Sequence, residues 1–100
     1  MAISPVAIDP QRIADFCRRH HVARLSLFGS VLRADFTPES DVDVLVEFQA
    51  GQTPGLEFFA MADELSRIIG RRVDLNTPEF LSRYFRDVVL AEARPLYESR

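Results

Sequence analysis

Apolar residues along this chain change their period several times, and each change marks an element. Ile13, Phe16, Cys17 and His20 recur at three- and four-residue steps, one face of an amphipathic helix. Asp9 followed by Pro10 supplies its start: a carboxylate that accepts from free backbone N–H groups, then a proline where a missing donor costs nothing. Asp15 and Arg19, four apart, read as a weak supporting pair on the outer side. Ala23 to Phe28 alternates loosely and reads as a strand, ended by Gly29-Ser30. A single helical turn fits Ser30 to Arg33, and Thr37-Pro38-Glu39-Ser40 is a loop.

Asp41 to Phe48 alternates strictly, with Val42, Val44 and Val46 on one face and Asp41, Asp43, Leu45 and Glu47 on the other. Leu56 to Ile69 returns to helical spacing through Phe58, Ala62, Leu65 and Ile69, and Gly70 fits its C-terminal cap. Arg71 to Leu75 is a third, short strand containing Asp74. Thr77-Pro78 repeats the earlier start signal and predicts a further helix in which Leu81, Tyr84, Phe85 and Val88 pack inward, until Pro95 stops it. Leu96-Tyr97-Glu98 is either a short edge strand or a tail. The order helix, strand, turn, strand, helix, strand, helix predicts a single α+β (α/β-like) domain over residues 1–100, a small mixed sheet flanked by helices.

One hundred residues, close to half of them apolar and about a quarter charged, suit one globular core but not a catalytic domain plus a separate acceptor domain. A transferase of this size takes part of its acceptor site from elsewhere. The N-terminus lacks a basic flank with a long apolar run, and no window approaches a bilayer-spanning length, so a cytoplasmic protein without membrane association is expected. Cys17, the one cysteine, excludes an internal disulfide and a multi-cysteine metal site, and its helical neighbours make it a small buried residue. Adjacent His20 and His21 point in different directions on a helix, which argues against joint metal binding. All twelve basic residues are arginines, so a P-loop lysine, a Schiff base and a lysyl-nucleotide intermediate are excluded. A formal net charge of −3 argues against binding along a nucleic-acid backbone, and direct DNA binding is not expected.

The candidate chemistry lies between Leu25 and Glu47. Asp41 and Asp43, at i and i+2 of a strand, project from one face with Cα atoms roughly 6–7 Å apart. Two anions at that range repel by about 3 kcal/mol at an effective dielectric near 20, a large term for a domain of ~5–15 kcal/mol total stability. A hard divalent cation offsets it, and carboxylate oxygen is what Mg²⁺ prefers. The plain alternative is a solvated turn edge. Gly29-Ser30 shifts the balance, because a glycine lets backbone approach a phosphate and the serine adds a hydroxyl. If the two strands are antiparallel neighbours, phosphate cradle and metal ligands meet. Asp74, in the middle of a short strand, is poorly explained by β-propensity. It is either the partner of Arg71 or Arg72 or a third metal ligand, and the other two aspartates favour the ligand.

Gly29-Ser30, then Asp41-Val42-Asp43, then a later strand carrying Asp74, is similar to the pattern of the DNA polymerase beta-type nucleotidyltransferases. The wording LFGSVLRADFTPESDVDVLVEF and RRVDLNTPEFLSRYFRDVVLAEA most resembles the minimal nucleotidyltransferases, MntA-like antitoxins paired with HEPN-domain toxins. The resemblance implies that Asp41, Asp43 and Asp74 are catalytic and ligate Mg²⁺, two ions in all, with Asp74 also helping to deprotonate the attacking hydroxyl. It implies that Gly29, Ser30, Arg33 and Ser40 bind the nucleotide. The chain departs at Ala34, where many relatives carry glycine after the arginine, a change in the loop rather than in the ligand set. The implied reaction moves AMP from ATP to a tyrosine hydroxyl of the cognate HEPN ribonuclease toxin, in a hetero-oligomer with that toxin. The competing expectation is neutralisation by stoichiometric binding through the aromatic segment Phe80 to Phe85, although its helical spacing suits core better than interface.

Overall fold

The computed structural model describes residues 8–32, 37 and 39–99, the side chains of Ser30 and Phe80 excepted. Asp9 opens the first helix as expected: its Oδ1 accepts from Gln11 N at 2.9 Å, Pro10 takes the first helical position, and α1 runs Pro10–Arg19. His21, at φ 58°, turns the chain into β1, Val22–Phe28. A 3₁₀ turn, Gly29–Leu32, follows, and β2 occupies Val42–Phe48. Helix α2 spans Glu57–Ile69 and ends at Gly70, whose φ of 78° is the left-handed cap. Then come β3, Val73–Asn76, α3, Arg83–Glu92, and β4, Arg94–Glu98.

The four strands form one mixed sheet in the order β3-β2-β1-β4. β1 is antiparallel to β2 and to β4, while β2 and β3 are parallel, as a crossover through α2 requires. The C-terminal segment is therefore an edge strand rather than a tail. It starts at Arg94 and contains Pro95, a residue that sheets accept at an edge.

Alternation puts Val42, Val44 and Val46 of β2 with Leu25 and Leu27 of β1 on one face, where they form a buried core with Ile13, Phe16, Met61, Leu65 and Ile69 from α1 and α2. Full burial of each such side chain contributes about 1.5–3 kcal/mol. On the opposite face Ser26 and its strand partner Leu45 are buried outside that cluster, and Asp43 and Glu47 flank Leu45.

Glu64 of α2 ties the two core helices together. It accepts from Arg19 Nη2 and pairs with His20 Nε2 at 3.0 Å, while the His20 ring lies 4.8 Å from that of Phe16. The Arg19 hydrogen bond holds the Glu64 carboxyl below the ordinary range. The expected Asp15–Arg19 pair does not form, because Asp15 takes Arg18 at 2.9 Å and Arg19 reaches across to α2. Cys17 is fully buried, and burial pushes its thiol up to about 12. Thiolate is the reactive species, so native protein at pH 8 should react with a disulfide reagent on the order of 10³-fold more slowly than unfolded chain. Stopped-flow labelling with and without denaturant measures this directly.

The inward packing expected of the last helix is not observed. Thr77-Pro78 opens only a 3₁₀ turn, Pro78–Phe80, and the helix begins at a second cap, where Ser82 Oγ accepts from Tyr84 N. None of its residues is buried; Tyr84 is 87% exposed, Phe85 65% and Val88 52%. Arg86 tethers α3 by donating from Nε to the Pro78 carbonyl at 2.8 Å. Among the described residues no helix is long and apolar enough to cross a membrane.

Candidate active site

Antiparallel pairing brings the end of β1 beside the start of β2, and Phe28 is the partner of Asp43. Parallel β3 then sets Asp74 against Asp43 from the other side. Directly paired residues share a sheet face. Since Val42, Val44, Val73 and Leu75 all enter the helix-covered core, Asp43 and Asp74 stand together on the opposite face. Adjacent strands lie about 4.8 Å apart, so two carboxylates remote in sequence become neighbours, Asp43 half-buried and Asp74 exposed.

Gly29 completes this corner. It has φ +75°, and a Cβ built on it would overlap Asp43 Oδ2 and stand 3.1 Å from Asp43 Cγ. The carboxylate thus lies against bare Gly29 backbone, a position open to glycine alone. The antiparallel condition on which the cradle and the ligands were expected to meet is fulfilled for Gly29 and Asp43.

Asp41 sits just ahead of β2, with its Oδ1 3.6 Å from Arg72 Nη1, both side chains being well exposed; such a pair is weak. Among the described residues no three His, Cys, Asp or Glu side chains form a group able to hold a metal ion. What the fold assembles is the Asp43–Asp74 pair, with Asp41 one strand step away. That donor set suits Mg²⁺, which binds through one or two carboxylates plus substrate phosphates and retains several waters. The ion pair considered for Asp74 is not how its neighbours are used, since Arg72 faces Asp41.

Ser40 is occupied locally. Its Oγ accepts from Thr37 N and lies 3.1 Å from Thr37 Oγ1, and its N–H donates to the Thr37 carbonyl at 3.0 Å. The Ser30 side chain and all of Arg33 and Ala34 lie outside the described residues.

Arg71 is a residue that reading the chain did not single out for the site. Its Nη2 donates to the carbonyls of Thr37 and Ser40, each at 2.9 Å, and next to it the Arg72 carbonyl accepts from Val42 N at 2.9 Å. The connection between α2 and β3 therefore staples the segment that delivers Asp41 and Asp43. Its signal was the Arg71-Arg72 pair before β3, but only the fold reveals which carbonyls it reaches. Arg71→Ala should loosen the segment that carries Asp41 and Asp43 and raise the Mg²⁺ concentration for half-maximal thermal stabilisation about tenfold, as loss of groups supporting metal ligands does. Arg71→Lys should restore it only in part, because an ammonium lacks the guanidinium fork. Melting temperatures of the three proteins across a Mg²⁺ titration test this.

A family model described as a nucleotidyltransferase domain matches residues 11–97. The chain belongs to this family. A Methanocaldococcus jannaschii protein named "Putative protein adenylyltransferase" is 34% identical over 83 residues, 83% of this chain and 88% of the relative. Thermococcus cleftensis protein adenylyltransferase MntA is 35% identical over 75 residues, 74% of each chain. Among solved structures, a "putative minimal nucleotidyltransferase" superposes with TM-score 0.71 at 35% identity, over 86% of this chain and 87% of that one. Two more distant neighbours share the fold. A toxin–antitoxin structure with AMP-PNP has TM-score 0.71 at 20% identity, over 93% of this chain and 76% of that one. A complex of tri-AMPylated Shewanella oneidensis HEPN toxin with MNT antitoxin has TM-score 0.63 at 21% identity, over 90% and 70%. This nucleotidyltransferase is thus an enzyme whose four-stranded mixed sheet and three helices match the minimal nucleotidyltransferase fold.

Proposed function

We propose that this nucleotidyltransferase is the cytoplasmic antitoxin of a toxin–antitoxin pair and transfers AMP from ATP to a tyrosine hydroxyl of a cognate HEPN-domain toxin. The observation that carries the reading is the Asp43–Asp74 pair, with the Asp43 carboxylate against Gly29. The adenylyltransferase names of the relatives and the HEPN complex among the structural neighbours support it.

In this reading Asp43 and Asp74, joined by Asp41, hold Mg²⁺, while Gly29, Ser30, Arg33 and Ser40 serve the nucleotide. Bound Mg²⁺ supplies positive charge that offsets the charge gathering on the α-phosphate and the departing pyrophosphate. Asp74, the exposed member of the pair, takes the tyrosine proton as the oxygen–phosphorus bond forms and the bond to pyrophosphate breaks. Gly29, lacking a side chain, lets the phosphates approach the Asp43 corner. The toxin provides the acceptor and its positioning.

Incubation with Mg²⁺, α-labelled ATP and a cognate HEPN-domain protein should label a toxin tyrosine, and chelation of the metal should prevent it. Absence of label across metals and nucleotides would overturn the reading. The exposed aromatic face of α3 favours a second reading, in which binding alone neutralises the toxin. An Asp41→Ala/Asp43→Ala variant that still binds separates the two: protection lost means catalysis, protection kept means binding.

A further inference from the structure

β3 ends at Asn76, the partner of Leu45, whereas β2 continues to Phe48. Val46 to Phe48 therefore pass beyond the last residue of β3. The chain leaves β3 through Thr77 and Pro78, and a proline brings no N–H to this edge. A groove of about 550 Å³ opens here between Phe48, Pro54, Phe58, Phe59 and Pro78. The rings of Phe48, Phe58 and Phe59 lie in sequence, with centroids 6.5 and 6.1 Å apart. Phe59 is nonetheless 70% exposed, and nearby Leu56 is 86% exposed. An exposed apolar patch of this kind marks a surface that another molecule covers.

Charge narrows the occupant. The charged residues lining the groove are Glu47 and Glu79, with no cation among the lining residues. Glu47 Oε2 is buried and accepts no hydrogen bond. Arg24, its partner across the strands, keeps Nε 3.9 Å from that oxygen while giving Nη2 to Glu98 at 2.9 Å. A buried acceptor without a donor is costly to leave, and an incoming basic side chain satisfies it. Position narrows it further. Pro78 lies four residues beyond Asp74, so at ~3.3 Å per residue the groove begins within about 13 Å of the candidate metal carboxylates.

We propose that this groove docks an extended, arginine- or lysine-bearing segment of the protein that supplies the acceptor hydroxyl, a proposal that rests on the transfer reading above. The segment adds its main chain along Val46 to Phe48, seats an apolar side chain among Phe58, Phe59 and Pro78, and sends its cation to Glu47 and Glu79.

The test uses this chain with a cognate HEPN-domain protein. Phe59→Asp should weaken the complex at least ~30-fold, as loss of an aromatic anchor does. It should raise KM for the protein acceptor while kcat stays within about threefold. Glu47→Gln should weaken binding about tenfold and flatten its salt dependence. Phe59→Ser provides a second variant if Phe59→Asp lowers the melting temperature. Affinity and KM within twofold of wild type for the folded variants would overturn the proposal, as would loss of binding in Tyr84→Asp on α3 but not in Phe59→Asp. If wild type binds the toxin, loses it on Phe59→Asp and yet transfers no AMP, the docking site stands and the transfer reading falls.

Discussion

Asp43→Asn should lower AMP transfer at least ~10³-fold, about 4 kcal/mol in barrier, while the protein remains folded and no less stable. The activity side follows from position. Asp43 is the half-buried carboxylate that touches Gly29 on one side and is paired with Asp74 on the other, so an amide there removes the charge from the centre of the proposed Mg²⁺ and phosphate corner. The stability side has the opposite sign. Carboxylates on adjacent strands at roughly 5 Å repel by about 3 kcal/mol at an effective dielectric of 20, and exposure of Asp74 screens this to a fraction of that value. Relieving it should leave unfolding free energy unchanged or raised by up to about 1 kcal/mol. Mg²⁺ should raise the melting temperature of the wild type by mass action and do so much less for the variant. Urea denaturation, single-turnover kinetics and melting with and without Mg²⁺ test all three. Transfer within tenfold of wild type would remove Asp43 from the chemistry.

Strict alternation from Val42 to Phe48 and helical spacing from Leu56 to Ile69 were legible because each follows from a single element burying one face. The Asp9-Pro10 start was equally legible, since the cap is made within three residues. The same signal at Thr77-Pro78 led elsewhere: Thr77 makes no side-chain cap bond, and Ser82 five residues on starts α3. Periodicity tells which residues share a face but not what covers it. That is why Tyr84, Phe85 and Val88 read as core and yet face solvent. In the site, Gly29, Asp43 and Asp74 were recognisable as a set by residue type, whereas their contact depends on strand order and on a register that pairs Asp43 with both Phe28 and Asp74. The staple from Arg71 to the Thr37 and Ser40 carbonyls is long-range and made to backbone, so side-chain types alone do not announce it.

Gly29→Ala should cost both stability and activity, and comparison with Gly51→Ala separates the two causes. Both glycines have φ +75°, but a Cβ at Gly51 meets nothing within 4 Å, whereas at Gly29 it overlaps the Asp43 carboxylate. Left-handed backbone costs an alanine about 1–2 kcal/mol, which for a domain of this size lowers the melting temperature by about 5–10 °C. Gly51→Ala should show that loss and no change in transfer. Gly29→Ala should lose more, because Asp43 must also move aside, and a displacement near 1 Å of a positioned group costs on the order of 10² in rate. The double variant Gly29→Ala/Asp43→Ala removes the overlap, so its stability should return toward that of Gly51→Ala, a coupling of about 1–3 kcal/mol between neighbours. Additive losses in the double variant would mean that the carboxylate is not held against Gly29 in solution. A non-additive result with transfer lost in Gly29→Ala alone would mean that the glycine serves the reaction by leaving Asp43 where it is.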